Sequence, residues 1–522
     1  TNKGNALDYF GHFADKRATK WPSGICRPIS SPSDQGRIPP PHSGKESEHI
    51  DLLDSWKKEI GVGWAERMNP SLPVPSSTLS IWHRTTRSFP LLHANRTAEV
   101  PASTKYLIIG SGISGALTAW KLVESGTKPE DIVILEAREA VSGASGRNAG
   151  HIRPDSFRGF PGYAAVHGPE QAKKILANER VVLEKVHEFV EANHVDSEFR
   201  FTNTFEVGLS EKFVERLADS LAALQAAGGA TSHIKFYQGK EAKARTRVPN
   251  ALCAYEWRAG TNHPGKLVQW ILNDFVSKGG KLWTHCPATN IAKARSSNTA
   301  GHRWEVHTPR GIVATESVIH CTNAYAAYLV PELREFITPR RSQVQSFIPR
   351  LSLSGEDALK HTMALSYGAE EFFSVNSLRD GTIVLGGTGT RDASDLPDGL
   401  ITFDDTEFSE HIARNSTREF TQLSQEPDNV PLRHGEGLDH AWTGILAMTA
   451  DRVPLVGHIE GLEGQWICAG FNGHGMAKVF TCAPGLVKLI NGHSWKETGL
   501  PECFRFSRAR IHKSVNPQVR SS

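Results

Sequence analysis

The most constraining feature of this 522-residue chain is a glycine-rich turn held between an apolar strand and a helix. Tyr106-Leu-Ile-Ile109 is a short apolar run of the kind that forms a buried strand, and Gly110-Ser-Gly-Ile-Ser-Gly115 follows it at once. Ala116–Ser125 then carries Leu117, Trp120 and Val123 at helical spacing, with Gly126 placed to end the helix. A second apolar strand, Ile132-Val-Ile-Leu135, ends in Glu136, 21 residues beyond Gly115. Strand, turn, helix and strand within about 30 residues make a βαβ unit. In such a unit Gly110 permits the tight turn, Gly112 lets backbone approach a diphosphate, and Gly115 lets helix and strand pack closely. The helix start at Ile113 and Ser114 offers free N–H groups and a positive dipole end to the anion. A carboxylate at Glu136 accepts bonds from ribose hydroxyls and repels a 2′-phosphate. A glycine turn that merely packs is the bland alternative. With strand, helix and carboxylate all in register, dinucleotide binding is the expected role.

Composition narrows the class further. Lys+Arg 59 against Asp+Glu 56 gives a formal charge of +3, too balanced for a general nucleic-acid or membrane-surface binder. No apolar run approaches the ~20 residues needed to span a bilayer. The seven cysteines are scattered without a CxxC pair, which argues against a disulfide framework and suits a reducing compartment. No close His or Cys ligand pair suggests a metal. No secretory core follows Thr1 and the final Arg-Ser-Ser is not a peroxisomal address, so a cytoplasmic protein is expected.

Residues 1–75 read differently from the rest. Pro28–Ser43 is rich in Pro, Ser and Gly, a short helix is expected over Asp51–Met68, and Pro70–Ser77 is again Pro-rich. Either a flexible tail or a wrapping extension that makes a homo-oligomer contact fits this composition. Further on, Ser210 is placed to cap a helix carrying Val214, Leu217, Leu221 and Leu224, and Pro264 to open another carrying Leu267, Ile271 and Phe275. A hairpin is expected over 304–321 around Pro309-Arg-Gly, with Val318–Cys321 as its following strand. A second hairpin pairs Phe372–Val375 with Thr382–Leu385. A last strand, Trp466–Ala469, runs into Gly470-Phe-Asn-Gly-His-Gly475 and a helix beginning near Met476.

The segment after Glu136 runs Ala137-Arg138, then through Ser145, Arg147, Asn148, Ala149 and Gly150 to His151, rich in Gly, Ala and Ser. Such a run suits backbone lying against a bulky cofactor, and equally a mobile loop. It resembles the Glu-x-Ser-Gly-x-Ser-Gly-Arg-Asn-x-Gly segment of the D-amino-acid-oxidase-like superfamily of FAD enzymes. The branch it resembles most is that of gamma-glutamylputrescine oxidase and the sarcosine-oxidase-type amine oxidases. Asn262-His-Pro264, Trp442–Gly457 and Gly470–Met476 resemble later segments of the same family. The likeness runs over roughly residues 76–495.

The resemblance implies an α/β plus α+β fold. A Rossmann-like FAD-binding domain (76–160, 261–345 and 431–495) would be interleaved with an antiparallel-sheet substrate domain (161–260 and 346–430). The extension 1–75 and a tail, 496–522, would flank them. It implies FAD contacts also from Ala288, Thr322, Gly444, Gly470, Asn472, Gly473, His474, Gly475 and Met476. The implied reaction is oxidation of a C–N bond of a small amine or amino acid by hydride transfer to flavin N5, giving an imine and hydrogen peroxide. His151, His474 and Glu371 are the expected catalytic residues, with Arg153, Glu370, Tyr367 and Gln343 nearby. Two departures from the family pattern stand out. The position of the flavin-attaching cysteine is Gly444, so non-covalent FAD is expected, and Thr382–Gly387 lacks the lysine that promotes reaction with oxygen. A dehydrogenase with another acceptor, or a non-catalytic FAD-holding protein, therefore stays open.

Overall fold

The computed structural model describes residues 69–294, 301–391, 399–426 and 429–515. The helix expected over Asp51–Met68, and with it most of the extension and its expected self-association, lies outside these residues.

Two sheets carry the architecture. In the first, Leu455–His458, Gln465–Ala469, Gly311–His320, Ser103–Ile109, Ile132–Leu135 and Lys281–Trp283 lie side by side in that order. The last five run parallel, as expected for strands joined through crossover helices. Ile132–Leu135 is buried at every position, the pattern of a strand covered on both faces. Helices Ile113–Glu124, Pro264–Ser277 and Val479–Ile490 cover one face, sharing a core with Ile108, Ile134, Leu267, Ile271 and Leu486. The second sheet is nine-stranded and antiparallel except where Thr362–Ser366 pairs with Arg200–Gly208. The Rossmann-like region interleaved with an antiparallel sheet is thus the fold observed.

Ser210 caps Glu211–Ala226, its side chain accepting from the Phe213 N–H, and Pro264 opens Pro264–Ser277. Three boundaries differ. The expected strand Val318–Cys321 is the end of one long strand, Gly311–His320, which turns back on Trp304–Thr308. The segments 337–348 and 437–449 pair with each other in the second sheet, and the expected domain edge at 345 falls inside the first of them. The helix after the closing loop starts at Val479, after a single 3₁₀ turn at Gly475–Ala477, rather than near Met476, and two short helices, Trp495–Thr498 and Arg508–Val515, follow it.

Three histidines are buried in different places: His83 against the glycine-rich run, His263 at the start of Pro264–Ser277, and His320 within the first sheet beside Gln465. His83, His263 and His320 are held to about 4, chiefly by burial. Each is neutral in the fold but titrates near 6.5 when unfolded, so the unfolded chain binds protons first as pH drops. Their contribution is complete above about pH 6.5 and is lost towards about pH 4, on the order of 3 kcal/mol per group. The sum rivals the stability of a typical domain, so cooperative acid unfolding is expected between about pH 6 and pH 4. Denaturant unfolding at stepped pH checks this; flat stability down to pH 4 would contradict it.

Candidate active site

A cavity of about 500 Å³ runs from the C-terminal end of Ser103–Ile109 to the second sheet. That edge of a parallel sheet is where ligands of doubly wound folds bind. The first turn lines it with Gly110, Gly112, Ile113 and Ser114. Gly110 holds φ +107, and a Cβ there would lie 2.7 Å from the Cys321 carbonyl oxygen. Gly115 does not reach the cavity: a Cβ on it would lie 1.9 Å from the Gly110 carbonyl oxygen, so its role is close packing of turn and helix. The atom nearest the missing Cβ of Gly112 is Ser145 Oγ, which also accepts from the Ile113 N–H at 2.8 Å. One helix-terminal donor is thus occupied by a serine hydroxyl that itself lines the cavity.

Glu136 lies at the cavity edge with its carboxylate partly committed. Oε2 accepts from the Ser111 N–H at 3.0 Å and hydroxyl at 2.7 Å, and Oε1 from the Arg138 N–H at 3.0 Å. A carboxylate offers about four lone-pair sites, so acceptor capacity remains for a ribose hydroxyl.

The run that follows is held by a network the sequence did not reveal. Arg138 donates to the fully buried Asp405 at 2.9 Å, and Arg147 Nε lies 3.6 Å from the same carboxylate. Arg147 also donates to the Ser142 and Thr443 carbonyls and to Ser77. Burial lowers Arg147 to about 10 despite Asp405. Both arginines line the cavity, but these guanidinium contacts hold the run in shape. Residues 72–82, placed by sequence in or beside the extension, strap it down. Leu72 and Pro73 line the cavity, Ser80 donates to the Gly146 carbonyl at 2.6 Å, and Trp82 Nε1 to that of Asn148 at 2.7 Å.

Ala137, Asn148, Ala149, Ala288, Thr322 and Gly444 also line the cavity. Gly150 does not; it packs against the Asn262 carbonyl and Trp82. From the closing loop Asn472, Gly473, His474, Gly475 and Met476 line it, whereas Gly470 packs on Thr449. Asn323 fixes this loop by accepting from the Gly470 and Phe471 N–H groups at 3.1 and 3.2 Å. A Cβ at Gly444 would meet the Arg147 side chain at 3.1 Å.

Of the expected catalytic residues, His151 and His474 line the cavity and Glu371 does not. Glu371 folds back over Gly368 and accepts from the Glu370 N–H at 3.3 Å; its neighbour Glu370 faces the cavity instead. Both ring nitrogens of His151 are buried without a partner, and burial, Arg153 and His474 hold the ring down at about 3. His474 Nδ1 lies 3.1 Å from Glu179. Phe372 faces the cavity and Phe373 the core, as strand alternation requires. Gln343 also lines the cavity, exchanging two hydrogen bonds with the Ser409 backbone. Tyr367 instead donates to Glu419.

The far end of the cavity is cationic. Arg153 donates to the fully buried Glu206 at 2.8 Å, and Arg158 Nη1 lies 3.7 Å from that carboxylate without a hydrogen bond. Arg340 pairs with Glu370 at 3.3 Å. Glu206, Asp155 and Glu370 all act on Arg158, yet its Nη1 donates to none of them, and no lysine is among the described residues lining the cavity.

A glycine turn under a parallel sheet, a ribose-type carboxylate and a second sheet roofing one cavity define a dinucleotide-dependent enzyme. Residues 105–489 match the model of the family described as FAD dependent oxidoreductase (DAO), and the chain belongs to that family. It is 23% identical over 396 residues to gamma-glutamylputrescine oxidoreductase of Escherichia coli (strain K12), covering 74% of this chain and 83% of that protein. It is 22% identical over 415 residues to mitochondrial dimethylglycine dehydrogenase of Homo sapiens, covering 77% of this chain and 44% of that one. In fold it is similar to L-proline dehydrogenase from P. horikoshii (TM-score 0.57, 18% identity, 78% of this chain and 97% of that one). It is equally similar to glycine oxidase from Bacillus cereus ATCC 14579 (TM-score 0.57, 18% identity, 75% and 95%). The protein is therefore an FAD-dependent oxidoreductase. The residues present fit the cofactor: close backbone at Gly110 and Gly112, spare acceptor capacity at Glu136, and orphaned polar atoms of Thr322 and His151 on the wall. No helix of the described residues is long and apolar enough to cross a membrane.

Proposed function

We propose that this enzyme oxidises the C–N bond of an amino acid, with the substrate carboxylate held at Arg158. The carrying observation is the cation at the roofed end of the cavity, where Arg158 Nη1 is buried without a hydrogen-bond acceptor. An anionic substrate group would supply that acceptor, and a guanidinium suits a carboxylate bidentately.

FAD, when bound, supplies the acceptor for a hydride from the carbon beside the substrate nitrogen, and the imine left behind hydrolyses in water. The chain's own task is orientation. Arg153, stacked 4.8 Å from the Trp257 ring and tied to Glu206, keeps the cationic end rigid. Phe372, Met363 and Met476 supply apolar wall between that end and the closing loop. His151 stays neutral between them. The proposed cofactor contacts are those named above that line the cavity, with FAD held non-covalently, since residue 444 is Gly. Molecular oxygen as electron acceptor, with hydrogen peroxide formed, is the first reading. The lack of lysine among the lining residues favours a second, in which electrons leave to another acceptor. A cytoplasmic location and self-association through residues 1–75 complete the proposal, supported by the scattered cysteines and by the extension's composition.

Arg158→Met tests the substrate class. We expect kcat/KM for the amino acid to drop about 10²-fold, the scale of an unpaired charge contact. The amine lacking the carboxylate should change only a few-fold. Equal losses on both would remove Arg158 from substrate recognition.

A further inference from the structure

A charged cluster lies buried behind the cavity wall at His474. Glu179, on the helix Pro169–Ala192, is 0% exposed. Its Oε2 accepts from the Asp155 N–H at 2.6 Å and lies 3.1 Å from Nδ1 of His474. Its Oε1 lies 2.7 Å from Nζ of Lys478, also fully buried, with the ammonium off that oxygen's hydrogen-bond axis. Burial alone would push Glu179 up. Lys478 and His474, with the Asp155 N–H, outweigh it and hold the carboxyl at about 2. Burial would likewise push Lys478 down, but Glu179 and Tyr163 raise it above its usual value.

A carboxylate without its proton can only accept, so the Nδ1 facing Glu179 carries hydrogen. The neutral ring then keeps its lone pair on Nε2. His474 is partly exposed at the cavity wall, beside His151 and close to the arginine end. The titratable and charged groups around it are Glu179 and Lys478 behind it, His151 on the facing strand, and Asp155, Tyr163, Arg158 and Arg153 around them. His151, held neutral by burial and its cationic neighbours, is too weak a base to take its place.

We infer that His474, oriented by Glu179, accepts the proton from the substrate's ammonium, with Lys478 paired to the other oxygen of Glu179. This rests on the amino-acid oxidation proposed above. The substrate N–H bond breaks, its electron pair stays on nitrogen, and an Nε2–H bond forms. The imidazolium that forms keeps its Nδ1–H directed at the Glu179 carboxylate, 3.1 Å away. The freed pair is then available to form the C=N bond, and FAD, when bound, would supply the acceptor for the hydride of the neighbouring C–H. Glu179 and Lys478 are positioning residues; neither lines the cavity.

The test is anaerobic mixing of the FAD-loaded enzyme with an amino-acid substrate across pH, reading the rate of flavin bleaching. Wild type should slow in acid along one protonation step. His474→Gln should be about 10²-fold slower at neutral pH, yet approach wild type once the substrate's own ammonium has titrated. Glu179→Gln should move the step to lower pH and slow the neutral rate, Glu179→Asp should restore most of it, and Lys478→Met should behave as Glu179→Gln. Apart from turnover, ¹⁵N-histidine NMR should show the proton of neutral His474 on Nδ1 in wild type and a tautomer mixture in Glu179→Gln. An unmoved pH step in His474→Gln, or a proton on Nε2 in wild type, would overturn the inference. Wild type that no amine or amino acid bleaches at any pH would take down the oxidation reading itself, a distinct failure.

Discussion

Gly115→Ala is expected to leave a chain that takes up no FAD. Its Cβ would lie 1.9 Å from the Gly110 carbonyl oxygen and 3.3 Å from Ile108 Cγ2. The first contact is with backbone, so no rotamer change relieves it; the helix Ile113–Glu124 must slide off the strand Ser103–Ile109. Overpacking a core costs roughly 1–3 kcal/mol when side chains can adjust, and here they cannot. The slide also opens the turn whose Gly112 and Ser145 face the cavity. Flavin content after purification and reconstitution, with a thermal unfolding curve, decides it. Wild-type flavin stoichiometry with unchanged unfolding would show that the packing tolerates a methyl.

Asp405→Asn carries the second large effect. Asp405 is 1% exposed and faces two arginines that are also buried, Arg138 and Arg147. Removing its charge leaves uncompensated guanidiniums in a low-dielectric site, a loss of about 3–5 kcal/mol by comparison with other broken buried pairs. The same change frees Arg138 to move, and with it the run that lines the cavity, so FAD affinity should fall alongside stability. Arg138→Met added to Asp405→Asn should recover part of the stability by removing one stranded charge. Denaturant unfolding of the two variants checks both statements. A loss below about 1 kcal/mol for Asp405→Asn would mean that water reaches the pair.

What was legible in the chain was local. The βαβ unit declares itself because apolar strand, glycine turn, helical spacing and Glu136 fall within one short stretch. The Ser210 and Pro264 helix starts were readable for the same reason, since caps and periodicity are written in neighbouring residues. What escaped depends on meetings across the chain. Asp405 reaches Arg138 over 267 positions and His474 reaches Glu179 over 295. A lone Glu in an amphipathic helix reads as solvated, and Lys478 after a glycine loop reads as a snorkelling surface charge; only packing makes both buried. That Glu370 rather than Glu371 lines the cavity could not be read, because a hairpin turn decides which carboxylate faces it. The roles of Gly150 and Gly470 as packing glycines rather than cavity wall likewise emerge only in three dimensions, whereas the close packing at Gly115 was readable from its place in the turn.

The central claim is an FAD enzyme that takes a hydride from an amino acid oriented by arginine and histidine on the cavity wall. The most direct measurement is anaerobic mixing of the FAD-loaded protein with a panel of amino acids and the matching amines, following the flavin's visible absorbance before and after admitting air. Bleaching by amino acids, faster than by the matching amines, is the expected result. Prompt recovery in air with peroxide formed identifies oxygen as acceptor, and slow recovery identifies another. An FAD-loaded protein that no member of the panel bleaches, or that amines bleach faster than their carboxylate counterparts, would contradict the account.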